Sequence, residues 1–277
     1  MATEEQKGTI NIAAPAQPKI GGAIASFGGW GAVGTTGSAS LELPLPITKA
    51  PNREGVPSLS LSYGSHVGNS MFGIGWHLTV HAITRRTSKG VPLYDDRKDL
   101  IVGPDGETWM PELDAAGELV KTPETVDGTL YQRVRYQPRI EGGFAKLERW
   151  FSDGDAAGFW LIHSADGGIQ VYGKTLASRR AEHRDDLDEP ERVGVWLLDE
   201  SVNVRGEHVV FEYKAETEAP AAAQSRDYRA QRYLHRVLYG NAVAQSGLYS
   251  WSADGWKNVQ FPFHLLCDSG ERSAERR

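Results

Sequence analysis

The chain has 277 residues, 40% of them hydrophobic and 24% charged, and a formal net charge of −6. That length suits one large β domain or two smaller ones, and the acidic balance supplies no basic field to recruit nucleic acid or an anionic membrane. Cys267 is the single cysteine, which excludes an intrachain disulfide.

The 31 glycines, 14 prolines and 8 tryptophans favour turn-rich strands over helices. No run reaches the apolar length of a membrane span. Met1 to Lys7 lacks the basic start and apolar core of a secretory signal, so export would use another route. Residues 1–19 are polar and without period and read as a mobile tail, and residues 20–277 read as one all-β module. Gly29-Trp30-Gly31-Ala32-Val33-Gly34 matches GxGxxG, but a dinucleotide site needs a helix next. A strand pattern follows instead, so this is a glycine-rich lead-in loop and no cofactor is expected.

Gly37 to Ile47 alternates apolar and polar residues, the period of a strand with one buried face, and Pro44 and Pro46 place it at an edge. A turn at Pro51–Gly55 leads to a second alternating run, Leu59–Tyr63, its antiparallel partner. Closely spaced glycines from Gly68 to Gly75 give sharp turns before a third strand, Trp76 to Arg85. Gly90 to Asp96 closes this block. Short strands are then expected at Leu100–Val102 and Glu107–Met110, with Leu130–Tyr136 alternating cleanly after them. Phe144–Phe151, Gly158–His163 and Gly168–Tyr172 continue the meander, with a hairpin turn at Ser164–Gly168.

Ala177 to Arg192 carries dense charge of both signs and reads as a solvated loop or short helix. Val193–Val204 and Gly206–Tyr213 form a hairpin turning at Asn203–Gly206. Glu218 to Ser225 is an exposed insertion, and Asp227–Gly240 and Val259–Leu266 finish the strands. The fold class is mainly β: antiparallel meandering sheets with long loops.

The series "LELPLPI … PSLSLSYGS … GNSMFGIGW … ITRRTSKGVPLYDD" resembles the N-terminal module of the SpvB family, as do Tyr136–Arg139, Phe159–His163, Arg232–Leu234 and Tyr239–Asn241. The resemblance runs from about Pro18 to nearly the end. Cys267 to Glu271 departs from the family's aromatic strand followed by DYGE, and the chain reads as the front piece of a longer toxin chain. That module opens a plasmid-encoded virulence protein ending in an ADP-ribosyltransferase, and also the B component of insecticidal toxin complexes (Tc toxins). The resemblance implies a non-catalytic structural and delivery module that helps form a β-rich shell around a cytotoxic effector. Its implied partners are other toxin-complex components or downstream Rhs/YD-type shell repeats. The implied location is secreted, or the bacterial cytoplasm before export. Alternatives are a secretion module of an ADP-ribosyltransferase and a stand-alone carbohydrate- or receptor-binding β domain.

Reactive constellations are sparse. His77 and His81, on one strand, would lie about 13 Å apart, too far to share a metal. HExxH, GxSxG and GxxxxGK[ST] are absent, and Cys267 has no motif around it. Glu216-Thr217-Glu218 matches Glu-x-Glu but has no Ser-Thr-Ser companion. Asp95, Asp96 and Asp99 lack calcium-loop spacing and read as a surface turn. No catalytic, cofactor or metal residue is assigned. Trp30, Trp251 and Trp256, in Gly/Ser/Asp contexts, are the candidate surface aromatic contacts.

Overall fold

A computed structural model describes residues 39–49, 54–182, 192–216, 229–252 and 254–267. The expected tail over 1–19, the lead-in loop with Trp30, and the insertion from Glu218 lie outside the described residues.

The first alternating runs form a small antiparallel sheet in the order β1 (Ser40–Pro44), β2 (Ser60–Gly64), then β5 (Trp76–Leu78), with a hairpin of β3 (Asn69–Ser70) and β4 (Gly73–Ile74) between the last two in sequence. β1 lies at an edge, where Pro44 breaks no ladder. The strand expected over Trp76–Arg85 is two strands, because the chain changes sheets in the middle. The Thr79 amide still donates to Ser60, whereas the His81 carbonyl accepts from Leu198. Period-two patterning continues across this switch, so only the new pairing partner marks it.

The large sheet takes β6 (Ala82–Arg85), β7 (Ile101–Val102), β8 (Thr108–Pro111), β9 (Lys121–Val126), β10 (Thr129–Pro138), β11 (Lys146–Ser152) and β12 (Asp155–His163). It continues through β13 (Ile169–Tyr172), β14 (Arg179–Ala181), β15 (Val193–Val202), β16 (His208–Ala215), β17 (Arg232–Tyr239) and β18 (Phe263–Leu266). Eight of these strands close on themselves. β6, β7, β8, β10, β11, β12, β13 and β15 pair in that order, and β15 returns to β6. The closing strand splits its length: Val195–Leu197 pair with β6, and Leu198–Val202 with β13. β15 also pairs with β16, from which the sheet runs through β17 to β18.

Alternation decides what fills the barrel. Ile83, Ile101, Val134, Tyr172 and Trp196 belong to the main core, and Trp109, Tyr136 and Trp196 set their rings 5.6, 4.6 and 5.8 Å from that of Trp160. Gly173 makes room for Trp196: its φ is +68°, and a Cβ there would lie 2.2 Å from the indole. Along β12, Trp160 and Ile162 face the main core while Phe159 and Leu161 join a second cluster with Leu248 and Trp251. Both faces are covered, which is why this strand reads as a continuous apolar run rather than an alternation. The cover comes from the long connection between β17 and β18.

The charge-dense stretch differs from expectation. A 3-10 turn at Leu176–Ser178 leads into β14, where Arg179 is buried, and residues 183–191 lie outside the described set. Sequence-local charge density does not reveal that a single carboxylate awaits this arginine inside the fold. Replacing Trp160 by Ala removes the ring on which three others converge and is expected to cost about 3–5 kcal/mol in urea unfolding. Leu130→Ala, at a 56% exposed position, should stay within about 0.5 kcal/mol.

Candidate functional site

The end of the barrel beside β6 is stoppered by the loop that leaves it. Arg85 closes β6 on the same face as Ile83, and Arg149 on β11 follows the inward Leu147, so both guanidiniums are driven into the interior. The loop returns Asp96 and Asp99 to them. Arg85 donates to Asp96 at 2.7 Å, to Asp99 at 3.0 Å and to the Val193 carbonyl at 3.1 Å, and Arg149 bonds the same Asp96 oxygen. The guanidinium carbons lie 5.4 Å (Arg85) and 4.7 Å (Arg149) from the Trp196 ring centroid. Burial pushes the Asp96 carboxyl up, but the charges of Arg149 and Arg85 outweigh it and hold the group below the usual carboxylate range. Asp96 and Asp99, expected in a surface turn, are instead the counter-charges of the stopper. The "RRTSKGVPLYDD" signature therefore has a physical meaning: a strand-end arginine and the loop that neutralises it.

A second set of buried polar groups ties the loops to the walls. Arg179 makes a bidentate pair with Asp155 (2.7 and 2.5 Å). Asp199 accepts from the Thr175 and Ser178 hydroxyls at 2.6 and 2.7 Å and from the Lys174 amide at 2.6 Å. Burial pushes its carboxyl up to about 6 against those hydrogen bonds. Glu200 receives the Tyr249 and Ser250 amides at 2.9 Å each and meets His208 Nδ1 at 2.7 Å, while His208 Nε2 lies 2.6 Å from the Gln245 carbonyl oxygen. These contacts fasten the connection between β17 and β18 to β15 and β16.

The predicted aromatic residues divide. Trp30 lies outside the described residues. Trp251 is half-buried, its ring 5.3–5.6 Å from those of Tyr131, Trp150 and Phe159, and the Lys174 ammonium sits 4.2 Å from the Phe159 centroid and 5.0 Å from that of Trp251. This aromatic box thus holds a cation from its own chain. Trp256 is half-buried against the outer cluster on β16 and β17 and donates its indole N–H to Glu212 at 2.8 Å. His77 lies on β5 and His81 beyond its end, so they do not share a strand. Glu216 follows β16, and Glu218 is outside the described residues.

Surface clefts lie beside the barrel strands of the described residues. One of about 370 Å³ is lined by Glu112, Thr122, Arg133, Arg135 and Lys146. Another, of about 340 Å³, is lined by Asp96, Lys121, Gln132, Phe151 and Asp153. Among the described residues no three His, Cys, Asp or Glu side chains converge as metal ligands. No helix of the described residues is long and apolar enough to cross a membrane.

Sequence reasoning missed Arg85, Arg149, Arg179 and Asp155. The available signal was an arginine at an inward position of an alternating strand, as in Leu147-Glu148-Arg149-Trp150.

Residues 33–277 match the family model described as SpvB, Salmonella virulence plasmid 65kDa B protein. Mono(ADP-ribosyl)transferase SpvB of Salmonella typhimurium and that of Salmonella dublin are each 37% identical over 278 residues, covering 95% of this chain. The chain spans 44% of the length of these relatives. The solved N-terminal domain of effector protein SpvB from Salmonella typhimurium strain LT2 superposes with a TM-score of 0.68 at 36% identity, covering 82% of this chain and 72% of that one. TcdB2-TccC3 gives 0.74 at 35%, covering 95% of this chain and 12% of that chain. The Photorhabdus luminescens Tc holotoxin pore gives 0.71 at 35%, covering 97% and 12%.

Two predictions follow from the buried carboxylates. Asp96→Asn leaves Arg85 with Asp99 alone and Arg149 with no carboxylate, and is expected to cost about 3–5 kcal/mol in chemical unfolding at pH 7. For Asp199, a folded value raised to about 6 means that its contribution is full below the ordinary carboxylate range and is lost as pH rises through about 6. Asp199→Asn should therefore gain on the parent by about 2 kcal/mol between pH 4 and pH 7. A flat difference across that range would refute the assignment.

Proposed function

The chain belongs to the SpvB family, and on that premise we propose that it is a non-catalytic structural and delivery module of a bacterial toxin, one panel of a β-rich shell that encloses a cytotoxic effector. Its partners are the other toxin-complex components or shell repeats that continue the sheet.

The observation that carries this reading is the small sheet. Leu41, Tyr63 and Trp76 lie directly opposite one another across β1, β2 and β5, and Leu43, Leu61 and Leu78 form the next row. Opposed residues share a face, so one side of the sheet is wholly apolar. The other side carries Glu42, Ser60, Ser62 and Thr79, joined by hydroxyl hydrogen bonds. Leu78 packs on the main core, whereas the other five are half-buried and belong to none of the buried clusters among the described residues. Residues 55–84 hold no Asp, Glu, Lys or Arg in a chain that is 24% charged. A charge-free, half-exposed apolar face suits packing against another polypeptide. The barrel interior, by contrast, is filled with its own rings and ion pairs. β18 ends the large sheet with Leu266 61% exposed, a second place for association.

The test is a chimera in which this chain replaces its matched segment in TcdB2-TccC3. The shell should assemble and protect the effector from protease, and Leu61→Asp should leave the barrel folded by near-UV circular dichroism while exposing the effector. Full protection with Leu61→Asp, or NAD+ cleavage by the purified chain, overturns the reading.

A further inference from the structure

The connection between β17 and β18 crosses the outer wall of the barrel and lays Leu248 and Trp251 on the second cluster of β12. A buried histidine stands where it is fastened. His208 opens β16, and its side chain and that of Glu200 on β15 are both fully buried. The ring Nδ1 lies 2.7 Å from Glu200 Oε1, and Nε2 lies 2.6 Å from the Gln245 carbonyl oxygen.

Both of these oxygens are acceptors. A neutral imidazole has one N–H and one lone pair, so it can donate to only one of them and turns its lone pair on the other. Glu200 does not resolve the conflict by donating. Its Oε1 takes the Tyr249 amide and its Oε2 the Ser250 amide, each at 2.9 Å, so with His208 three donors converge on one carboxylate. Hydrogen bonds to the charged form favour that form. Nothing else around the ring supplies a proton. From the end of β17, Asn241 Oδ1 accepts the His208 amide, and from the connection the Tyr249 ring packs 4.1 Å away. Burial pushes the Tyr249 hydroxyl above its usual range, so that group stays neutral. Glu200 is the one ion-pair partner of His208 among the described residues.

We propose that His208 is held as an imidazolium and that its second proton latches the connection to the barrel. Protonated, the ring bridges Glu200 on the wall to the Gln245 carbonyl on the connection. When that proton passes to solvent, a lone pair faces one of the two oxygens and the connection is released from β12. In the released state the ring meets water and gives up the proton above about pH 6.5, the ordinary histidine value. The latched state keeps it, so latching is full below that pH and weakens as pH rises. The latch is independent of the apolar face that supports the shell reading.

The experiment uses the full chain. Nitrogen-15 spectra of the histidine rings at pH 7 should show both His208 nitrogens protonated. Hydrogen exchange of the Tyr249 and Ser250 amides, corrected for intrinsic rates, reads the opening constant of the connection. From pH 7 to pH 8 that constant should rise about tenfold, the slope for one released proton. In His208→Gln, which has no such proton to lose, it should stay flat. A single protonated ring nitrogen at pH 7, a flat opening constant in the parent, or a slope kept in His208→Gln overturns the proposal. If the variant does not fold, the ring spectra of the parent decide alone.

Discussion

Asp96 holds the barrel shut. Two guanidiniums, from β6 and β11, sit over the same indole, and one carboxylate from the intervening loop bonds both. Neither arginine is tolerable there alone, because a desolvated charge without a partner costs several kcal/mol. The loop is therefore fixed wherever the barrel is formed, and the barrel is closed wherever the loop is fixed. Buried ion pairs of this kind contribute more to a single arrangement than to net stability, since apolar side chains of the same size would serve stability as well. Here the arrangement they select is the path of the chain across the barrel end.

The walls follow from the closure. Once β15 joins β6 to β13, inward positions are committed to the ring cluster around Trp160, and outward positions must be wet or covered. The connection between β17 and β18 does the covering. It brings Leu248 and Trp251 onto β12 and is tied down by amides on Glu200 and by Lys174 in its aromatic box. A lysine ammonium among three rings is a cation–π contact satisfied within the chain. In the small sheet the polar side, with Ser40, Glu42 and Thr79, is exposed, and the apolar side, with Leu41, Leu43, Leu61 and Trp76, is half-buried.

Charge is distributed by the same logic. The chain is acidic overall, and its interior arginines are matched by Asp96, Asp99 and Asp155, so the barrel is close to neutral inside. Asp199 is satisfied by hydroxyls and amides rather than by a cation, which is why burial moves it upward while Asp96 moves downward. Two carboxylates in one core thus answer pH in opposite senses, according to whether their partners carry charge.

The amino-acid sequence by itself determined the all-β class, the edge position of β1 from Pro44, the hairpins at Ser164–Gly168 and Asn203–Gly206, and the family through its glycine and Asp-Asp motifs. Those features are local: period, proline geometry and turn chemistry act over a few residues. The sheet switch after Leu78, the barrel closure by β15, the burial of Arg149 and Arg179, and the occupied box around Trp251 were decided only by tertiary structure. Each depends on residues far apart in the chain meeting: Asp96 lies 53 positions from Arg149, and Arg179 lies 24 from Asp155. Alternation states that a residue faces inward, but which partner stands opposite is set by register and closure, and neither is written in any local stretch.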